Sequence, residues 1–162
     1  MSKDIKPIKR SKELVPLSKD HHEGLLFGWK IKQGLRNGTD LSLVAEYVQW
    51  FWQNDLQEHF RKEEGVLASY LPKENELVIR MFDEHKEIKA LVDLIAHSND
   101  ETILVQLADK VNDHIRFEER VLFPYAEEMI ASEDMQEIYG ELSKIKSHTT
   151  KWNDLFWLKQ EG

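Results

Sequence analysis

Histidine and glutamate stand four residues apart at two places in this 162-residue chain, His59 with Glu63 and His114 with Glu118. On a helix that spacing puts both side chains on one face, one above the other. An imidazole nitrogen next to a carboxylate can share a proton or hold a cation. A third pair, His97 and Glu101, straddles the loop signal Ser98-Asn99-Asp100 and is set aside. The other two pairs belong to an internal repeat. His59-Phe-Arg-Lys-Glu-Glu-Gly-Val-Leu-Ala-Ser-Tyr70 aligns without gaps on His114-Ile-Arg-Phe-Glu-Glu-Arg-Val-Leu-Phe-Pro-Tyr125, with seven of twelve positions identical. Such a repeat implies two halves related by a pseudo-two-fold. A fainter echo pairs Asp20-His21-His22-Glu23 with Glu84-His85-Lys86-Glu87. His21 and His22 are ~100° apart around a helix axis. Both the alignment and the apolar face of Leu17, Gly24, Leu25, Gly28 and Leu35 select His21, leaving His22 as a neighbour of the site or a surface residue.

Helices must position these residues, since no segment alternates as a strand would. Residues 1–16 are basic, contain Pro7 and Pro16, and read as a loose, solvated arm. Ser18 can cap a first helix running from Lys19 to Arg36, with Asn37-Gly38 as its stop. Thr39 or Asp40 can cap a long second helix that ends before Leu71-Pro72. A third covers Lys73 to His97. A fourth covers Glu101 to Ile130, with a kink expected at Pro124. Short connections between four amphipathic helices predict an all-α, antiparallel up-down four-helix bundle over residues 17–131. Apolar stripes support it: Leu41, Ala45, Val48, Trp52 and Leu56 on the second helix, Val78, Met81, Ile88, Val92 and Ala96 on the third, Ile103, Leu107, Val111, Val121 and Leu122 on the fourth. His59, Glu63, His85, His114 and Glu118 interrupt those stripes, whereas Glu64 and Glu119 are expected on the solvent side.

Six histidines and glutamates inside an apolar core would each cost several kcal/mol if left uncompensated. Metal ions satisfy them together, because a cation neutralises the carboxylates and accepts neutral imidazole nitrogen. Six ligands are too many for one tetrahedral zinc. Two octahedral ions fit, with two histidines each, bridging carboxylates and exchangeable positions. Nitrogen and oxygen donors with open positions point to iron. The chain has no cysteine, so thiolate ligands and disulfides are excluded. A net charge of −8 disfavours nucleic acid and anionic membranes as partners. No apolar run reaches the ~20 residues of a membrane span, and no secretory signal follows the first lysines. A cytoplasmic location is the expectation. Ferritin-like di-iron bundles use Glu-x-x-His, and no histidine here has a glutamate three residues before it.

At these residues the sequence resembles the hemerythrin-like, or HHE cation-binding, family. The resemblance rests on Asp20-His21-His22-Glu23, His59-x-x-x-Glu63, Glu84-His85, and His114-x-x-x-Glu118 followed by Val-Leu-Phe-Pro, in the family's order over about residues 17–130. It implies a four-helix bundle around an oxo- or hydroxo-bridged pair of iron ions. His21 and His59 would hold one ion, His85 and His114 the other, and Glu63 and Glu118 would bridge. Oxygen-carrying members have a further histidine four residues after that on the third helix, and a bridging Asp on the fourth. Here those positions are Lys89 and Glu118. That departure opens a coordination position and favours reaction with peroxide, nitric oxide or oxygen over pure oxygen carriage. Relatives that repair iron–sulfur centres carry an additional cysteine-bearing domain, and that role is not carried over.

The expected function is a di-iron protein that binds or senses dioxygen or a related small ligand, or holds iron. The alternative is a redox enzyme turning over peroxide, nitric oxide or ferrous iron. Tyr70 and Tyr125, seven residues after Glu63 and Glu118, are read either as hydrogen-bond partners of the site or as core tyrosines near a bundle end. His148 is read as surface. In residues 132–162, Ser132 can cap a helical stretch with Gly140 as a weak point. Ile138, Leu142, Ile145, Trp152 and Phe156 keep a three-four step, so the stretch is expected to pack on the bundle or to pair two copies of the chain.

Overall fold

The computed structural model describes residues 10–145 and 151–158, and all regular structure among them is helical. The first helix spans Val15–Arg36 and starts earlier than expected. Pro16 sits in its first turn, where a missing N–H costs nothing. Ser18 therefore lies inside the helix, and its hydroxyl is free for another partner. Asn37 and Gly38 end the helix, with Gly38 at φ 74°, a conformation open to glycine.

The second helix, 41–70, is capped by Asp40, whose side chain accepts from the Ser42 N–H at 3.0 Å. It is one rod of mixed winding. The α-helical pieces Leu41–Phe51 and Gln57–Lys62 alternate with π turns at Trp52–Leu56 and Glu63–Leu67, and a 3-10 turn at Ala68–Tyr70 closes it. The third helix, Glu76–His97, starts at Glu76 because Asn75 caps it, accepting from the Leu77 N–H at 2.8 Å. Asp100 caps the fourth helix, 101–129, in which a third π turn, Glu118–Leu122, separates Glu101–Phe117 from Phe123–Met129.

These four helices form a closed ring of neighbours: the first packs on the second and fourth, the third on the second and fourth. Gly28 permits a close approach of the first helix to the fourth, since a Cβ there would lie 3.3 Å from the Ala108 carbonyl oxygen. Two apolar clusters fill the bundle. One contains Phe27, Val48, Phe51, Val92 and Leu107, the other Leu17, Leu67, Met81, Leu122 and Phe123. The histidine and glutamate layer separates them along every helix. Leu25, Ala96 and Val121, expected on inward stripes, are exposed. For Val121 the π turn explains it. An i→i+5 turn takes in one additional residue, which rotates the rest of the helix by roughly 100° relative to α-helical winding.

The ends of the chain are built differently from the expectation. Arg10 is largely buried, Lys12–Leu14 forms a 3-10 turn and Leu14 is fully buried, so residues 10–16 are not a loose arm. A fifth helix, Ser132–Lys144, runs through Gly140 and buries Met135, Ile138 and Leu142 against the Leu14 cluster. Ser132 makes no side-chain cap there. The helix stops at Ile145, and residues 151–158 are not helical. Phe156 instead inserts into the other apolar cluster beside Tyr47 and Gly34. Asn37 holds that segment by donating to the carbonyls of Phe156 and Leu158. Pro7 and His148 lie outside the described residues. No helix among the described residues is long and apolar enough to cross a membrane.

Candidate metal centre

His21, His59, His85 and His114 each come from a different helix, and all are buried together with Glu63 and Glu118, which have no exposed surface. His22 is exposed, so of the two adjacent histidines only His21 faces the interior. The ligand atoms form two overlapping groups. His21, His59, Glu63 and Glu118 lie within 4.8 Å of one another, and so do Glu63, His85, His114 and Glu118.

Both carboxylates belong to both groups, and each divides its oxygens between them. Glu118 Oε1 is 2.7 Å from His21 Nε2, while its Oε2 is 3.0 Å from His114 Nε2 and 3.5 Å from His85 Nε2. Glu63 Oε1 is 3.1 Å from His85 Nε2, while its Oε2 is 3.3 Å from His59 Nε2 and 3.5 Å from His21 Nε2. Yet His59 Nε2, His114 Nε2, Glu63 Oε2 and Glu118 Oε2 are buried without a hydrogen bond. His59 Nε2 and His114 Nε2 lie 3.3 and 3.0 Å from those oxygens without forming a hydrogen bond. Buried polar atoms are almost always satisfied, so four orphans facing one another are the sign of a site that fits cations. The donor set is nitrogen and oxygen only, as a hard or borderline metal requires.

Around this group stands a ring of carboxylates that spacing alone did not reveal. Each histidine offers its other nitrogen, Nδ1, to an acid: His21 to Glu119 at 2.6 Å, His59 to Asp20 at 3.0 Å, His85 to Glu64 at 2.7 Å and His114 to Glu84 at 2.7 Å. The ring obeys the two-fold. The acid before the histidine of the first or third helix holds the histidine of the next helix. The acid after Glu63 or Glu118 holds the histidine of the third or first helix. Glu64 and Glu119, expected to face solvent, each reach across to the neighbouring helix instead. A carboxylate on Nδ1 fixes the tautomer that leaves Nε2 as a ligand and makes it more basic.

The π turns serve this arrangement. Two of them begin on Glu63 and Glu118, with the Ala68 N–H bonding to Glu63 O and the Phe123 N–H to Glu118 O. They admit two successive acids, one aimed inward and one sideways. They also carry Tyr70 and Tyr125 off the site face. Tyr70 donates to Glu137, and the Tyr125 hydroxyl accepts from Asn75 Nδ2. At Pro124 the fourth helix changes from π to α winding. The proline lacks the N–H that would continue the π register to Glu119 O, and that carbonyl accepts from Arg10 instead.

Electrostatics follow from the packing. Burial by itself would lower His21 and His85, but the nearby carboxylates of Glu118 and Glu119 for the one, and of Glu118, Glu63 and Glu64 for the other, hold both well above the ordinary imidazole value. His59 and His114 are also raised, as burial is outweighed by the charges of Glu63 and Glu118 respectively. Burial pushes both glutamates up, yet the surrounding histidines hold Glu63 and Glu118 below the usual carboxylate range.

Phe60 stacks on His85 with ring centroids 3.7 Å apart, and Trp52 packs edge-on against Phe60. Beside the histidines runs a narrow apolar crevice lined by Gly24, Leu56, Ile88, Val111 and Ile115. Lys89 lies instead in an open hollow on the outer side of His85, paired with Asp93.

Comparison with protein families finds the hemerythrin HHE cation-binding domain over residues 13–126, and again over residues 77–149. The second, overlapping match starts on the third helix, as an internal repeat would produce. Neither the curated proteins nor the solved structures include a match.

Proposed function

The chain belongs to the hemerythrin HHE cation-binding domain family, and from that premise we propose that it holds two iron ions and binds or senses dioxygen or a related small ligand there. His21 and His59 would hold one ion, His85 and His114 the other, and Glu63 and Glu118 would span both. The observation that carries this reading is the division of each carboxylate, one oxygen toward each histidine pair. A single ion would need the donors to converge on one point, and their division into two overlapping groups supports two ions instead. Bound iron supplies reversible redox chemistry and a coordination position that a small ligand can occupy.

The chain's own residues supply the rest. Asp20, Glu64, Glu84 and Glu119 orient the four imidazoles. The narrow, largely apolar crevice by Gly24, Leu56 and Ile88 beside the histidines favours a small, uncharged molecule over a bulky or charged one. These four acids are all committed to histidines, so no interior acid or base among them is left to serve turnover. That favours binding over an enzymatic role.

An anomalous-scattering map at the iron edge, with metal analysis, tests the ion count. Two peaks, one between each histidine pair, are expected, and less than about one iron per chain would overturn the reading. An absorption band that forms with oxygen and disappears under vacuum supports binding. Sustained consumption of peroxide would establish turnover instead.

A further inference from the structure

We propose that Arg10 is a positioning residue for one of the two metal positions. It holds Glu119, and through Glu119 it holds His21, so that the His21 and His59 position is complete only while residues 10–14 are docked. The inference rests on the two-ion reading above.

Arg10 lies outside the bundle, in a stretch that sequence composition marks as solvated, yet its side chain is 6% exposed. A guanidinium is buried only where acceptors replace its water. Glu127 Oε1 lies 2.7 Å from Nη1, and Nη2 donates to the Glu119 carbonyl left open by Pro124, with Glu119 Oε1 at 3.5 Å. The Ser11 N–H donates to the second oxygen of Glu127. The Ser18 hydroxyl donates to Glu119 Oε2 at 2.7 Å, the same oxygen that bonds His21 Nδ1 at 2.6 Å. The guanidinium also lies 5.3 Å from the centre of Phe123, whose ring stacks on His21 at 5.1 Å and 13°. Arg10 therefore reaches His21 by two routes, through the carboxylate and through the ring.

In the other half the one arginine on an orienting acid comes from the bundle itself: Arg80, on the third helix, bonds Glu84 at 2.9 Å and lies over Phe117. Glu64, the counterpart of Glu119, bonds His85 and has no cation or hydroxyl on it among the described residues, and its side chain is 37% exposed. The residue matching Phe123 in the repeat is Ala68, and Ser69 stands where Pro124 would free a carbonyl. The position of His85 and His114 is thus shaped by the bundle alone, while that of His21 and His59 depends on a segment that precedes it. Orientation of a ligand histidine by its acid is worth ~10–100-fold in metal affinity. Since docking favours the ion, the ion must favour docking by the same factor.

The test is an anaerobic titration of the full chain with ferrous iron, read by equilibrium dialysis. The unmutated chain should take two ions. Arg10→Ala should keep one at unchanged affinity and weaken the other by ~10–100-fold, with partial rescue in Arg10→Lys. Two ions at unmutated affinity in Arg10→Ala would overturn the inference, and so would equal weakening of both. If the unmutated chain takes none, the two-ion reading itself falls and this inference with it. Hydrogen exchange on the unmutated chain needs no variant. Backbone amides of residues 11–14 should exchange at least ~10-fold more slowly with iron bound, and unchanged rates would overturn the coupling.

Discussion

The segments 59–70 and 114–125 share one motif, and the chain closes them in two ways. Both place a histidine, an inward glutamate and a sideways glutamate over the same π turn. They differ at five positions: the second brings Ile115, Phe117, Arg120, Phe123 and Pro124 in place of Phe60, Lys62, Gly65, Ala68 and Ser69. Of the shared residues, the histidine and first glutamate of each segment face the ligand positions, and the second glutamate holds a histidine of the neighbouring helix. The differing ones decide what covers them: Phe123 and Arg10 over His21, the more open Glu64 beside His85. A duplicated motif therefore fixes ligand identity, while the unduplicated residues around it make the two halves unequal.

The symmetric part of that comparison should fail first at the shared carboxylates. Glu63→Ala and Glu118→Ala each remove an oxygen from both histidine pairs. Each should weaken both ions by at least ~100-fold, an effect larger than removal of one orienting acid, as measured by dialysis. Loss of a single ion from either variant would mean that the carboxylates are not shared.

His59→Ala and His114→Ala should each cost one ion, and opposite ones, with about 1–3 kcal/mol of stability lost in denaturant unfolding. Iron-edge maps of the two should show complementary vacancies. The same vacancy in both would break the two-fold.

The dependence on pH sharpens the picture further. Without metal, the four imidazoles are raised above 6.5, so the folded state keeps protons that the unfolded state releases. Their stabilisation is complete below that pH and is lost as pH rises through the raised values. Glu63 and Glu118, lowered from 4.5, add stability above that pH which is lost as pH falls through the lowered values. Iron needs neutral imidazole, so the loaded chain should gain stability up to about pH 6.5 and then level off. Melting curves against pH, with and without iron, should draw apart as pH rises, below that point because the loaded chain gains stability and above it because the unloaded chain loses it. Parallel curves would show that metal does not replace these protons. The smallest effect belongs to His22→Ala, which should leave metal content unchanged and shift stability by less than ~0.5 kcal/mol. Loss of an ion there would assign the wrong histidine of the adjacent pair.

Much of the bundle could be read from residue order. Asp40, Asp100 and Gly38 mark helix ends by chemistry local to a few residues. The spacing of His59 with Glu63 and of His114 with Glu118, repeated, marks the ligand faces. Glu64 and Glu119 depart from the expectation because a regular α-helix of 3.6 residues per turn aims them outward. The π turns that redirect them leave no strong trace in residue type. Ser18 is not a cap because Pro16 starts the helix a turn sooner. Trp152 and Phe156 keep a helical step without a helix, since their burial comes from Tyr47 and Gly34 more than a hundred residues earlier.

Amino-acid order by itself determined four amphipathic helices and which six side chains interrupt their apolar faces. Those features depend on neighbours within one or two turns, where backbone geometry is fixed by covalent structure and local hydrogen bonds. Tertiary structure alone decided which oxygen faces which histidine, which acids hold the outer nitrogens, and that Arg10 is buried against Glu119. These are contacts between residues up to 109 positions apart, set by how the helices pack and not by the period of any one of them.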